Sequence, residues 1–147
     1  MFGRPQRTTA SGVGVGGRLL IAVAADVIAV LVFVVLGRRS HDGGSGVVAV
    51  LATAAPFLVA LGVGWIVVLV ARLAPLSVLA GVVLWAITVA GGLVLRRTAW
   101  DRGTAASFVV VAAIALGLLI VGWRSVVTFT RGAGAVASAS PPFGAGR

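Results

Sequence analysis

Long apolar runs alternate with short polar breaks along this chain, and the breaks hold most of its charge. The first run, Leu19 to Leu36 (LLIAVAADVIAVLVFVVL), contains a single charged residue, Asp26. A turn-rich connector follows, Gly37 to Gly46 (GRRSHDGGSG). The second run, Val47 to Val70, is uncharged and carries Pro56 near its middle. A proline there predicts a kink and frees a backbone carbonyl, which Thr53 or a neighbouring helix can help satisfy. Arg72 and Pro75 make the next turn, with Pro75 suited to the first turn of a helix. Leu76 to Leu95 is again uncharged, and Arg96 to Thr104 forms a second polar connector, in which Asp101 suits the start of a helix. The last run, Ala105 to Phe129, carries Arg124.

Each run is near the roughly 20 apolar residues that cross a hydrocarbon core of about 30 Å. The pattern therefore predicts an all-α membrane protein with four transmembrane helices, over about 19–36, 47–70, 76–95 and 105–129, in one domain spanning 19–130. Residues 1–18, Gly- and Thr-rich with three arginines, read as a flexible tail, and 131–147 as a low-complexity, disordered one. A cleaved signal is not expected, because the small-x-small site Ala22-Val23-Ala24 falls near the start of the first run rather than after it.

Composition strengthens this reading. Hydrophobic residues make up 60% of the 147 and charged residues only 10%, with mean hydropathy +1.17. A soluble core of this size could not hide that much apolar surface, so lipid is the expected solvent. All twelve basic residues are arginines and the net charge is +9. They stand at the ends of apolar runs, as interface anchors facing a bilayer and its anionic headgroups do, and not on a nucleic-acid-binding surface. Arg38, Arg39, His41, Arg96 and Arg97 form the expected interfacial loops.

Four spans put both termini on one side with Arg4, Arg7, Arg18, Arg72, Arg131 and Arg147, against Arg38, Arg39, Arg96, Arg97 and Arg102 on the other. That slight bias favours cytoplasmic termini in a plasma membrane. No cysteine and one histidine argue against disulfides and against thiolate or zinc sites, and no cofactor is expected. The membrane region holds no Ser-His-Asp set, paired carboxylates or HExxH motif, so no enzyme is expected either.

The two intramembrane charges are the candidate chemistry. Asp26 lies seven residues past Leu19, about 10 Å along its helix, and Arg124 five residues before Phe129, about 8 Å from the same membrane face. Faces agree as well. Ala22, Asp26 and Ala29 share one side, and Ala113, Gly117, Arg124 and Thr128 share another. Thr53, Pro56, Ala60 and Gly64 mark a stripe on the second helix, and Gly81, Trp85, Thr88 and Gly92 one on the third; small and polar stripes suit helix packing.

The leading expectation is an Asp26–Arg124 ion pair that braces a structural or accessory bundle, alone, as a homo-oligomer or with a membrane partner. One alternative is a small proton- or cation-coupled transporter that works through Asp26, similar in size to the small multidrug-resistance exporters; another is headgroup binding by the Arg-rich loops. Arg124 could instead snorkel to the interface beside Trp123, with Trp65 in the same aromatic belt. Trp85 lies too deep for that belt and reads as interior packing, as do Thr53, Pro56 and Thr88 as interior polar or kink positions.

An internal echo runs through the chain. Arg38-Arg39-Ser40 recurs as Arg96-Arg97-Thr98, and Gly64-Trp65 as Gly122-Trp123, each after fifty-eight residues. Duplicated helical hairpins would write such a pattern. So would chance, in a chain so rich in Ala, Val, Leu and Gly. At the same shift Asp26 falls on Leu84 and Arg124 on Ile66.

Asp26, Gly37-Arg38-Arg39-Ser40-His41, Pro56-Phe57, Arg96-Arg97 and Gly122-Trp123-Arg124 together resemble the domain-of-unknown-function family 3054, short bacterial membrane proteins, over about residues 19–130. The resemblance implies a multi-pass membrane protein and supplies no activity, substrate or cofactor. The Ala-, Val- and Arg-rich composition also looks like that of a GC-rich actinobacterial genome.

Overall fold

Lipid offers no hydrogen bonds, so a chain of this composition must satisfy its backbone internally, and each apolar run folds as one unbroken α-helix. The computed structural model describes residues 14–39, 46–99 and 106–138. The helices are α1 (Val15–Arg39), α2 (Val47–Val70), α3 (Val78–Thr98) and α4 (Ala106–Ser138), each long and apolar enough to cross a membrane. His41, with Asp42, Trp100, Asp101 and Arg102, lies outside the described residues.

Several helix ends differ from the sequence expectation. α1 runs on to Arg39 and α3 to Thr98, so Arg38, Arg39, Arg96 and Arg97, expected in the connectors, lie in last helical turns, where a cation suits the helix dipole. α1 begins at Val15, ahead of Leu19, because Arg18 N–H already bonds Gly14 O at 3.1 Å and each further turn adds such bonds at little cost. α3 begins at Val78 and not Leu76, since the Ser77 side chain caps it by accepting from Ala80 N–H at 3.1 Å; Pro75 thereby falls before the helix. α4 runs on through Arg131 to Ser138, across a stretch read as the start of a disordered tail; no proline interrupts it before Pro141.

α2 ends in a Schellman turn: Arg72 N–H bonds Leu69 O at 3.1 Å and Leu73 N–H bonds Val68 O at 3.0 Å. Arg72 takes the left-handed conformation (φ 53°) that glycine usually fills there. The turn reverses the chain within a few residues. Pro56 is buried inside α2, and the Thr53 hydroxyl donates to Ala49 O at 2.8 Å, not to the Ala52 carbonyl that the proline frees.

The helices form a closed ring in chain order: α1 packs on α2, α2 on α3, α3 on α4 and α4 back on α1, and among the described residues only side chains, Phe57 with Phe108 and Trp65 with Arg124, meet across a diagonal. Large apolar side chains such as Leu20, Ile28, Val48, Ile66, Leu118 and Phe129 point outward, as lipid requires. The α2–α3 seam is the longest and is made by missing side chains. A Cβ on Gly64 would stand 3.1 Å from Leu84 Cδ2, one on Gly91 3.0 Å from Ala60 Cβ, and one on Gly92 would overlap the Phe57 ring at Cδ1. Without a hydrophobic driving force between helices, such close approach is what holds them together.

Near the connector end, Phe57 meets Phe33 edge-on at 5.7 Å and Phe108 at 6.3 Å, while the Arg96 guanidinium caps the Phe108 ring at 4.7 Å. Arg38 Nη1 donates to Thr53 Oγ1 at 3.0 Å, tying the last turn of α1 to α2. Gly92→Ala should therefore lower stability in detergent by about 1–3 kcal/mol by overpacking Phe57. Gly62→Ala, where a Cβ meets nothing within 4 Å, should be neutral or gain up to about 1 kcal/mol. Paired thermal melts of the purified protein check both.

Candidate functional site

Helical spacing puts the site together. On α1 the buried row is Ala22, Asp26, Val30 and Val34; on α4 it is Ala112, Leu116, Ile120 and Arg124. The α4 row sits one position away from the expected Ala113, Gly117 and Thr128 face, because Ala113 and Gly117 are turned to Trp85 of α3 and Thr128 is exposed. Where the two rows meet, Asp26 and Arg124 are both 0% exposed.

They form a bidentate pair. Arg124 Nη1 donates to Asp26 Oδ1 at 2.7 Å and Nη2 to Oδ2 at 2.8 Å. The guanidinium continues outward: Nη1 also donates to Ile120 O at 2.9 Å, and Nε to Pro75 O at 3.2 Å. Four of its five N–H groups are thus committed to fixed acceptors on α1, on α4 itself and on the α2–α3 turn, which offsets much of the cost of burying the charge. Arg124 does not snorkel. Its stem passes α3 so closely that a Cβ on Gly81 would lie 2.8 Å from its Cδ.

Two tryptophans complete the enclosure. Trp123 Nε1 donates to Asp26 Oδ1 at 3.1 Å, and its ring centroid lies 4.5 Å from the Arg124 guanidinium carbon. Trp65, on α2, stands 5.8 Å from the same carbon and is only 6% exposed. Both rings turn inward onto the charge, which a cation held over aromatic faces favours, and do not form an outer belt. Every helix contributes: Asp26 from α1, Trp65 from α2, Gly81 from α3, Arg124 and Trp123 from α4.

The other expected positions lie elsewhere. Trp85 is half-buried and its Nε1 donates to Ala113 O at 2.8 Å, a link between α3 and α4. Thr88 is fully buried, and its hydroxyl, like Trp65 Nε1, has no hydrogen-bond partner among the described residues. Thr53 and Arg38 bond each other at the connector end, where Arg96 meets Phe108 and Arg97 is exposed; Arg39 closes α1. Among the described residues no group of three His, Cys, Asp or Glu could hold a metal ion.

Sequence reasoning missed the Pro75 carbonyl, the role of Gly81 and the inward turn of both tryptophans. Adjacency of Trp123 to Arg124 and the Gly64-Trp65 echo were the available signals. Gly81→Ala should push the Arg124 stem out of place and cost about 1–3 kcal/mol, although alanine is the better helix former. A loss of melting temperature, absent in Gly122→Ala where a Cβ meets nothing within 4 Å, checks it.

No curated protein and no solved structure matches the chain. A family model does, across residues 23–127, from Val23 in α1 to Val127 in α4. With four membrane-spanning helices and the greater part of its length inside that match, this chain is a multi-pass integral membrane protein of the family described as "Protein of unknown function (DUF3054)".

Proposed function

We propose that this protein is a structural or accessory four-helix bundle of the plasma membrane, with cytoplasmic termini, whose fold is braced by the Asp26–Arg124 pair and which acts through its surroundings in the bilayer and without catalysis. The observation that carries the reading is the completeness of the pair: both side chains 0% exposed, two carboxylate oxygens matched to two guanidinium nitrogens, and the remaining acceptors fixed in the backbone.

A residue that loads and releases a proton or cation must exchange its partner for water during each cycle. Asp26 is held by three hydrogen bonds, two from Arg124 and one from Trp123, which favours a brace over a gate. The surroundings we propose are anionic lipid headgroups at the arginine-bearing helix ends, with a second copy or a membrane partner on the apolar outer faces.

Asp26→Asn and Arg124→Gln should each cost about 3–5 kcal/mol, since each strands a buried polar or charged partner. Asp26→Leu combined with Arg124→Met should cost less than either single change, because an apolar pair leaves nothing unpaired. Melting in detergent measures this, and three variants as stable as the parent would sink the reading. In vesicles carrying a pH gradient, the parent and Asp26→Asn should show equal ion flux; a parental flux lost in the variant would favour transport.

A further inference from the structure

Trp65 Nε1 is a buried indole N–H with no partner among the described residues, beside one of the best-satisfied charges in the molecule. Unsatisfied buried donors are rare enough in folded proteins to need a cause. The fifty-eight-residue echo supplies one.

At that shift, the buried row of α1 falls on the buried row of α3: Ala22 on Ala80, Asp26 on Leu84, Val30 on Thr88 and Val34 on Gly92. All eight are buried. On α2 and α4 the correspondence is partial: Ala54 falls on Ala112, both 0% exposed, whereas Arg124 falls on Ile66, which is 62% exposed. The ring of helices obeys the same relation, since α2 packs on α3 as α4 packs on α1. Parallel hairpins related by an axis along the membrane normal produce this arrangement. Trp65 and Trp123 are then counterparts, and both flank Arg124. Trp123 donates to Asp26; the counterpart of Asp26 on the other side is Leu84. On this correspondence, the lack of a partner for Trp65 Nε1 among the described residues goes with leucine at the second carboxylate position.

We infer that α1–α2 and α3–α4 are pseudo-equivalent hairpins and that position 84 is a second carboxylate position of the charge site, able to serve Arg124 and Trp65 as position 26 serves Arg124 and Trp123. The location allows it. Leu84 is fully buried, sits one turn beyond Gly81, against which the Arg124 stem lies, and its Cδ2 is in contact range of Gly64, next to Trp65. Aspartate is smaller than leucine, so no overpacking opposes the exchange.

The test moves the charge. In an Asp26→Leu background, Leu84→Asp should melt well above Thr88→Asp, which places the same carboxylate one turn further along the same row. Equal melting of the two would overturn the inference, whether or not the ion pair is a brace in the parent. Roles of the tryptophans should also exchange: Trp65→Phe should lower the melting temperature more in the Asp26→Leu, Leu84→Asp protein than in the parent, and Trp123→Phe less. Should the relocated charge keep the chain from folding, Leu84→Asn in the parent offers Trp65 a neutral acceptor. Trp65→Phe must then cost more in that variant than in the parent, and equal costs would likewise overturn the assignment.

Discussion

A carboxylate and a guanidinium facing each other in a dry helical bundle gain strong attraction and lose their hydration, and the balance turns on how completely the remaining donors and acceptors are met. Here the matching is close to complete, and its demands shape the neighbourhood. The guanidinium needs a carbonyl beyond the carboxylate, so the α2–α3 turn presents Pro75 O. Its stem needs a slot, so α3 carries glycine at 81. Its faces need cover that does not compete for protons, so two indoles lie against it. Removing one partner disturbs every one of these arrangements.

The bundle is held differently on its other sides. Along α2–α3 the fit is steric, between glycines at 64, 91 and 92 and the side chains of Leu84, Ala60 and Phe57. Near the connectors three phenylalanines and two arginines close the end, with Arg38 and Arg96 at corresponding places on α1 and α3. Van der Waals fit tolerates no added atom, while a hydrogen-bonded pair tolerates no lost one. The two seams are thus sensitive to opposite kinds of substitution.

Much of this was legible in the chain because membrane sequence is simple. Lipid leaves the backbone few options, so run length foretold four helices, while the arginines expected in the connectors proved to close α1 and α3. Depth and face brought Asp26 and Arg124 into register, because helix geometry is regular enough to count along. What escaped were features set by neighbours and not by periodicity. Ser77 displaced Pro75 from the helix start with one capping bond, and the freed carbonyl then became a ligand of Arg124. Trp65 and Trp123 turn onto the buried charge, a contact that run length and helical period do not signal. The one-position error in the α4 face has the same origin, since Ala113 and Gly117 look like packing residues and do pack, but on Trp85.

The partners of the pair lie ninety-eight residues apart, on the first helix and the last. At about 5–20 residues per second, a ribosome needs roughly 5–20 s to travel that distance. During that interval α1 has left the ribosome with a carboxylate and without Arg124 to meet it, while α2 brings no charge and α3 only Arg96 and Arg97 in its last turn, at the far end of the bundle. Until α4 arrives the first span carries an acid whose place within a lone transmembrane helix costs about 2.5–3.5 kcal/mol on insertion scales. Completion of the charge site is thereby tied to completion of the chain.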